Sequence, residues 1–142
     1  MEDWIRLFAL GQDFDVDEFL RRTRLEPAQV WRRGEPRGCF GAVNPTSGVA
    51  FKLGDARAIP FPSQAQIAID FVSANRSELA ALGRFPGVTF FTLGLQKSIE
   101  VRDELSGFAM PVPRELMDSL LAIGCELTHY VALDHPVRED GP

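Results

Sequence analysis

From Trp4 to Leu10 the chain reads WIRLFAL, a short apolar-rich run closed by Gly11, which is the pattern of an early, mostly buried strand. The spacing then changes to that of a helix. Val16, Phe19 and Leu20 share one helical face, Asp15 stands at the cap position with Glu18 three residues on, and Arg21, Arg22 and Arg24 suit the negative end of the dipole. A helix over about 16–24 is predicted. Gly48 to Gly54 (GVAFKLG) reads as a short strand between glycines. Farther on, Ile67, Ile69 and Phe71 alternate as in a strand, yet Ile67, Phe71, Ala74, Glu78 and Leu82 also form a helical stripe. A capping box from Ser63 to Gln66, and no Gly or Pro before Gly83, favour one helix of about 20 residues.

Val88 to Leu95 (VTFFTLGL) is rich in β-branched and aromatic residues and predicts a central strand, with Gly107 to Val112 (GFAMPV) as its antiparallel neighbour. Pro113 opens a third helix on the stripe Leu116, Met117, Leu120 and Leu121, and Gly124 ends it. Cys125 to Leu133 (CELTHYVAL) alternates into a last strand, and the polar residues from Asp134 to Pro142 form a frayed tail. The order β-α-β-α-β-β-α-β predicts a single α+β domain over 1–142. It has a mainly antiparallel five-stranded sheet, three helices packed on one face, and a ferredoxin-like β-α-β-β-α-β part preceded by a β-α unit. What remains is 26–47, a long Pro- and Gly-rich connection of the kind that is either mobile or functional.

Charge and composition narrow the function classes. With 15 basic and 20 acidic residues, the net charge of −5 and a pI near 5.0 oppose the phosphate backbone, so no nucleic acid is expected as partner. Acidic residues follow Met1 and no apolar run reaches the roughly 18 residues of a membrane span, so a cytoplasmic protein without a membrane partner is expected, as monomer or homodimer. Cys39 and Cys125 are far apart and read as two reduced thiols.

Candidate chemistry is sparse. Neither GxxxxGK[ST] nor GxGxxG occurs, and no cofactor is implied. Cys125 and His129, four apart on a strand, are about 13 Å apart, too far to share a metal, and none is expected. Cys39 with His129 or His135 is formally a nucleophile and base, but each has a simpler reading as a small apolar, sheet or tail residue, so no catalytic residue is assigned. Asp13, Asp15, Asp17 and Glu18 suit a helix N-terminus better than a divalent ion.

The remaining cluster is Trp31, Arg32, Arg33, Glu35 and Arg37, inside EPAQVWRRGEPRG. The arginines are forked donors for a carboxylate, a phosphate or an acidic partner, with Trp31 as apolar anchor. The structural reading has Trp31 closing the end of the core and the arginines paired with Glu26, Glu35 or the acids of the first helix.

Two segments are similar to one family. FDVDEFLRRTRLEPAQVWRRGEPRG (14–38) and SGFAMPVPRELMDSLLAIGCELTHYVAL (106–133) resemble the uncharacterised, mostly bacterial domain of unknown function family 4279. That resemblance implies no reaction, no catalytic residue and no cofactor. The expectation is therefore a non-enzymatic binding or interaction domain for a protein partner or a small acidic ligand. The alternatives are a small enzyme with a site near the Trp31–Arg37 loop, where Cys39, His129, Arg32 or Glu35 would have to converge, and a structural homo-oligomer.

Overall fold

The structure, a computed structural model, describes residues 4–54, 61–100 and 111–134. Strand β1 (Trp4–Gly11) is followed by helix α1 (Val16–Arg22), the short strand β2 (Gln29–Trp31) and strand β3 (Ser47–Lys52). Helices α2 (Phe61–Ala74) and α3 (Arg76–Gly83), strand β4 (Phe90–Glu100), helix α4 (Arg114–Ile123) and strand β5 (Glu126–Asp134) complete it. The five strands form one mixed sheet in the order β2-β3-β1-β4-β5; β4 and β5 are parallel and the other three pairings antiparallel.

Alternation along β1 divides the molecule into two sides. Ile5, Leu7 and Ala9 are fully buried and join Val49, Phe51, Leu93 and Leu95 in one core. The helices close that core with Val16 and Phe19 of α1, Ala68 and Val72 of α2, Leu79 and Leu82 of α3, and Leu116, Leu120 and Ile123 of α4. Trp4, Arg6, Phe8 and Leu10 point the other way and are partly exposed, and among the described residues no helix covers that side. None of the described helices is long and apolar enough to cross a membrane.

Several expectations hold. The α+β architecture is present, with helices on one face; Asp15 caps α1 by accepting from the Glu18 amide at 3.0 Å; and Gly124, at φ 69°, ends α4 in the left-handed region. Others are corrected. The described residues form four helices rather than three, because the segment read as one long helix breaks at Asn75. There the backbone turns to φ −125°, ψ 25°, and the side-chain amide donates to the Phe71 carbonyl at 3.0 Å, competing with the backbone ladder. Helix α2 also starts at Phe61, ahead of the expected capping box at Ser63.

The ferredoxin-like order is absent. That arrangement inserts an antiparallel strand within each pair of strands linked by helices; β3 and β4 do flank one, but it is β1 and not the expected 107–112, and β4 and β5, linked by α4, pair directly, from Thr92 with Glu126 to Glu100 with Asp134. The connection 26–47 is not structureless either, since it supplies β2 as the sheet's outer strand and a hairpin with a bridge between Pro36 and Val43. Of the expected strand 107–112, residues 107–110 lie outside the described residues and Pro111 and Val112 are irregular. Tail residues 135–142, with His135, also lie outside them.

Candidate functional site

The open side of the sheet is laid out by register. Across β3, β1 and β4, the row Lys52, Arg6 and Gly94 lies next to the row Ala50, Phe8 and Thr92, and then Gly48, Leu10 and Phe90. Gln29 stands beside Ala50 and Trp31 beside Gly48 on the outer strand. Rings therefore carpet this face. Trp4 and Tyr130 lie 5.3 Å apart, Phe8 and Phe90 6.1 Å apart, and the Arg6 guanidinium sits 5.3 Å over Trp4. They cover Thr92, which is fully buried yet satisfied, because its hydroxyl reaches Thr128 Oγ1 at 2.8 Å and the Glu126 carbonyl at 3.1 Å.

Two glycines let the rings lie close to the backbone. A Cβ on Gly94 would meet Phe8 and Trp4 at 2.9 Å, and one on Gly48 would come within 2.2 Å of Trp31 Cζ2. Trp31 is thus not the core plug expected from its size and neighbours. It is partly buried, lies across Gly48 on the open face, and its indole N–H donates to Thr46 Oγ1 at 3.4 Å. The reason is parity: Trp31 and Gly48 are register partners, and Gly48 falls on the face away from Val49 and the helices.

The hairpin after Trp31 is fixed from both ends. Gly34 N–H donates to the Asn44 carbonyl and Asn44 N–H to the Glu35 carbonyl, both at 2.9 Å, and the Asn44 side chain donates to the Arg32 carbonyl at 3.2 Å. Arg33 N–H donates to Ser47 Oγ at 2.9 Å, tying the turn to the start of β3. The tip protrudes, with Phe40 98% exposed and Cys39 exposed beside it.

The three arginines of the motif separate in role. Arg32 donates through Nε and Nη2 to Asp17 on α1, the shortest contact being 2.7 Å, and lies 3.9 Å from Glu35. Hydrogen bonding from Arg32 holds the Asp17 carboxyl below its ordinary 3.8. Arg33 lies 3.9 Å from Asp13, and Glu35 has Arg32 as its cation. Arg37 is different: among the described residues it makes no ion pair, and it lines the same hollow as Trp31, Leu10 and Gln29.

Here the chain forms a hollow of about 510 Å³, floored by Leu10, Gln29 and Trp31 and walled by Arg37 and the hairpin residues Asn44 to Thr46. A second hollow of about 260 Å³ is lined by Ala50 and by the cross-strand partners Arg6 and Lys52 in the next row, and Gln29 is common to both hollows. The two make one shallow trough. Its described lining carries three cations, Arg6, Arg37 and Lys52, and no carboxylate, in a protein whose net charge is −5. Arg6 and Lys52 were not singled out from the sequence. The signal was there in the alternation of WIRLF and VAFKL, which puts a lone cation among apolar residues on the same face of neighbouring strands.

Cys39 and His129 are not brought together. They belong to the hairpin of β2 and to β5, the two outer strands, four intervals or about 19 Å apart at roughly 4.8 Å each. Arg32 and Glu35 are remote from His129 for the same reason, so His129 does not converge with them. Cys39 and Cys125 are both free, and burial pushes the Cys125 thiol up to about 12, a protonated and unreactive state. No family model, curated protein or solved structure matches the chain.

Proposed function

We propose that the protein is a non-enzymatic binding domain that holds an acidic ligand in the trough over Trp31. One observation carries this reading: Arg6, Arg37 and Lys52 gather on one face with no described carboxylate among them. Arg21, Arg22 and Arg32 face carboxylates, whereas this trough gathers cations of one sign in a concave surface, which focuses a positive potential on an outside anion. Trp31 and Leu10 add an apolar floor, and Gln29 and Asn44 add polar groups that fix orientation. Of the motif first read as a site, Trp31 and Arg37 would touch the ligand, while Arg32, Arg33 and Glu35 would hold the hairpin in place. Membership of the family 4279 domains and a cytoplasmic setting belong to the same proposal and rest on the sequence.

The test is a titration of carboxylates and phosphates followed by Trp31 emission in a Trp4→Phe background, at low ionic strength. Binding that weakens with salt, and is lost in the Arg37→Ala/Lys52→Ala double variant but kept in Arg114→Ala, an exposed α4 cation outside the trough, is the expected result. Equal binding by parent and double variant, or no response to any anion, would refute the reading.

A further inference from the structure

We infer that the trough's occupant is an extended acidic segment of a partner protein, with two carboxylate side chains four residues apart. This rests on the acidic-ligand reading and gives the ligand a shape. The cations stand at two ends. Arg6 and Lys52 are cross-strand partners, while Arg37 hangs beside Trp31, whose register partner is Gly48. Lys52 and Gly48 are four residues apart on β3, which is about 13 Å at roughly 3.3 Å per residue. An extended peptide lying along the sheet presents side chains i and i+4 on one face at that same separation. Its residue i+2 then falls over Ala50 and Gln29, where a small or apolar side chain can pack beside the indole.

Shape favours a chain over a compact molecule. Small-molecule sites enclose about 70–90% of their ligand. This trough has a sheet for its floor and the hairpin as a wall, so a compact ligand would keep a broad side in water. In addition, β2 is the outermost strand, with no described strand on its far side, so a passing chain meets a strand edge as well as the cations.

The experiment uses the full chain and defined peptides. Acetyl-Asp-Ala-Leu-Ala-Asp-amide is compared with an isomer whose two acids are adjacent, with the two single-acid peptides, and with biphenyl-4,4′-dicarboxylate as a small rigid dianion. The spaced diacid peptide is expected to bind at least tenfold more tightly than the others. Arg37→Ala should erase the gain from one of its two acids while leaving the matching single-acid peptide unaffected, and Lys52→Ala should erase the gain from the other. Circular dichroism checks that both variants are folded. Equal affinity for spaced and adjacent acids overturns the inference and leaves the acidic-ligand reading standing. Tighter binding of the biphenyl diacid than of every peptide also overturns it, in favour of a small dianion. No binding of any of them overturns both.

Discussion

Replacing Gly48 by Ala tests whether the Trp31 ring occupies the space a side chain would need. In a strand interior, Gly→Ala ordinarily stabilises by about 0.5–1 kcal/mol, because glycine loses the most backbone entropy on folding. Here the added methyl would stand 2.2 Å from Trp31 Cζ2, 2.5 Å from Cε2 and 2.8 Å from the Ala9 carbonyl oxygen. Ordinary carbon contacts are about 3.5–4.0 Å, so the ring has to recede by roughly 1.5 Å. Overpacking of that order costs about 1–3 kcal/mol, and losing the indole hydrogen bond to Thr46 adds about 1 kcal/mol. Set against the usual gain, a net loss of about 1–3 kcal/mol is expected, opposite in sign to the ordinary effect. Urea unfolding followed by circular dichroism measures it. Repeating the substitution in a Trp31→Ala background isolates the ring: only the Ala9 contact persists there, offset by the usual gain, so the cost should fall to near zero, a coupling of about 1–3 kcal/mol. A Gly48→Ala protein as stable as the parent, or one whose cost is unchanged without Trp31, would refute the placement of the indole.

Four other outcomes follow from side chains already described. In the folded protein a disulfide-exchange reagent should titrate Cys39 at once and Cys125 only on unfolding; simultaneous reaction of both would contradict the burial of Cys125. The unfolded Cys125 thiol ionises near 9.0 and the folded one near 12, so the unfolded state alone loses this proton between those values. Stability should fall as pH rises through that window, and less so in Cys125→Ala; identical slopes would count against it. The Asp17 carboxyl is held below 3.8 by Arg32, so this pair stabilises the fold above the carboxylate range and stops doing so as acid protonates it. Arg32→Ala should lower the melting temperature slightly at neutral pH, with a difference that closes in acid; a gap that persists would mean that Arg32 acts through packing instead. Phe40→Ser, at the 98% exposed hairpin tip, should change stability by no more than about 0.5 kcal/mol by calorimetry, and a larger loss would show that the tip is packed.

How much was legible in the sequence depended on how many residues carried each signal. WIRLFAL, the Asp15 cap and the Leu116–Gly124 helix were readable because apolar spacing and a terminal residue agreed. Strand β2 was not, since three residues, Gln29 to Trp31, offer no period and sit beside Pro27 and Gly34. The break at Asn75 depends on one side chain choosing the Phe71 carbonyl, which no stripe of apolar residues reveals. In the site, the motif drew attention to Trp31 and Arg37 because their residue types stand out locally. Arg6 and Lys52 join them only through pairing between strands about 46 positions apart, Arg6 with Lys52, which is set by the sheet and not by neighbours in the chain. Of the two readings of Trp31, the core plug rested on size, which argues for burial, whereas the face on which a strand residue lands is decided by register.

Strand β1 lies at the middle of the sheet, with β3 on one flank and β4 on the other, and nothing else joins the two flanks within it. During synthesis, β1, which emerges before both of its neighbours, can pair with β3 once residue 52 is free of the ribosome, but its other edge stays open until residues 90–96 follow. For that interval the nascent chain displays an unpaired strand edge between two apolar faces, Ile5 and Leu7 on one and Trp4 and Phe8 on the other. Pairing across such long separations is slow, and an open edge of this kind is where chains associate wrongly. Expression yield should therefore respond more to changes in β1 and to slowed translation between β3 and β4 than to any change in the trough.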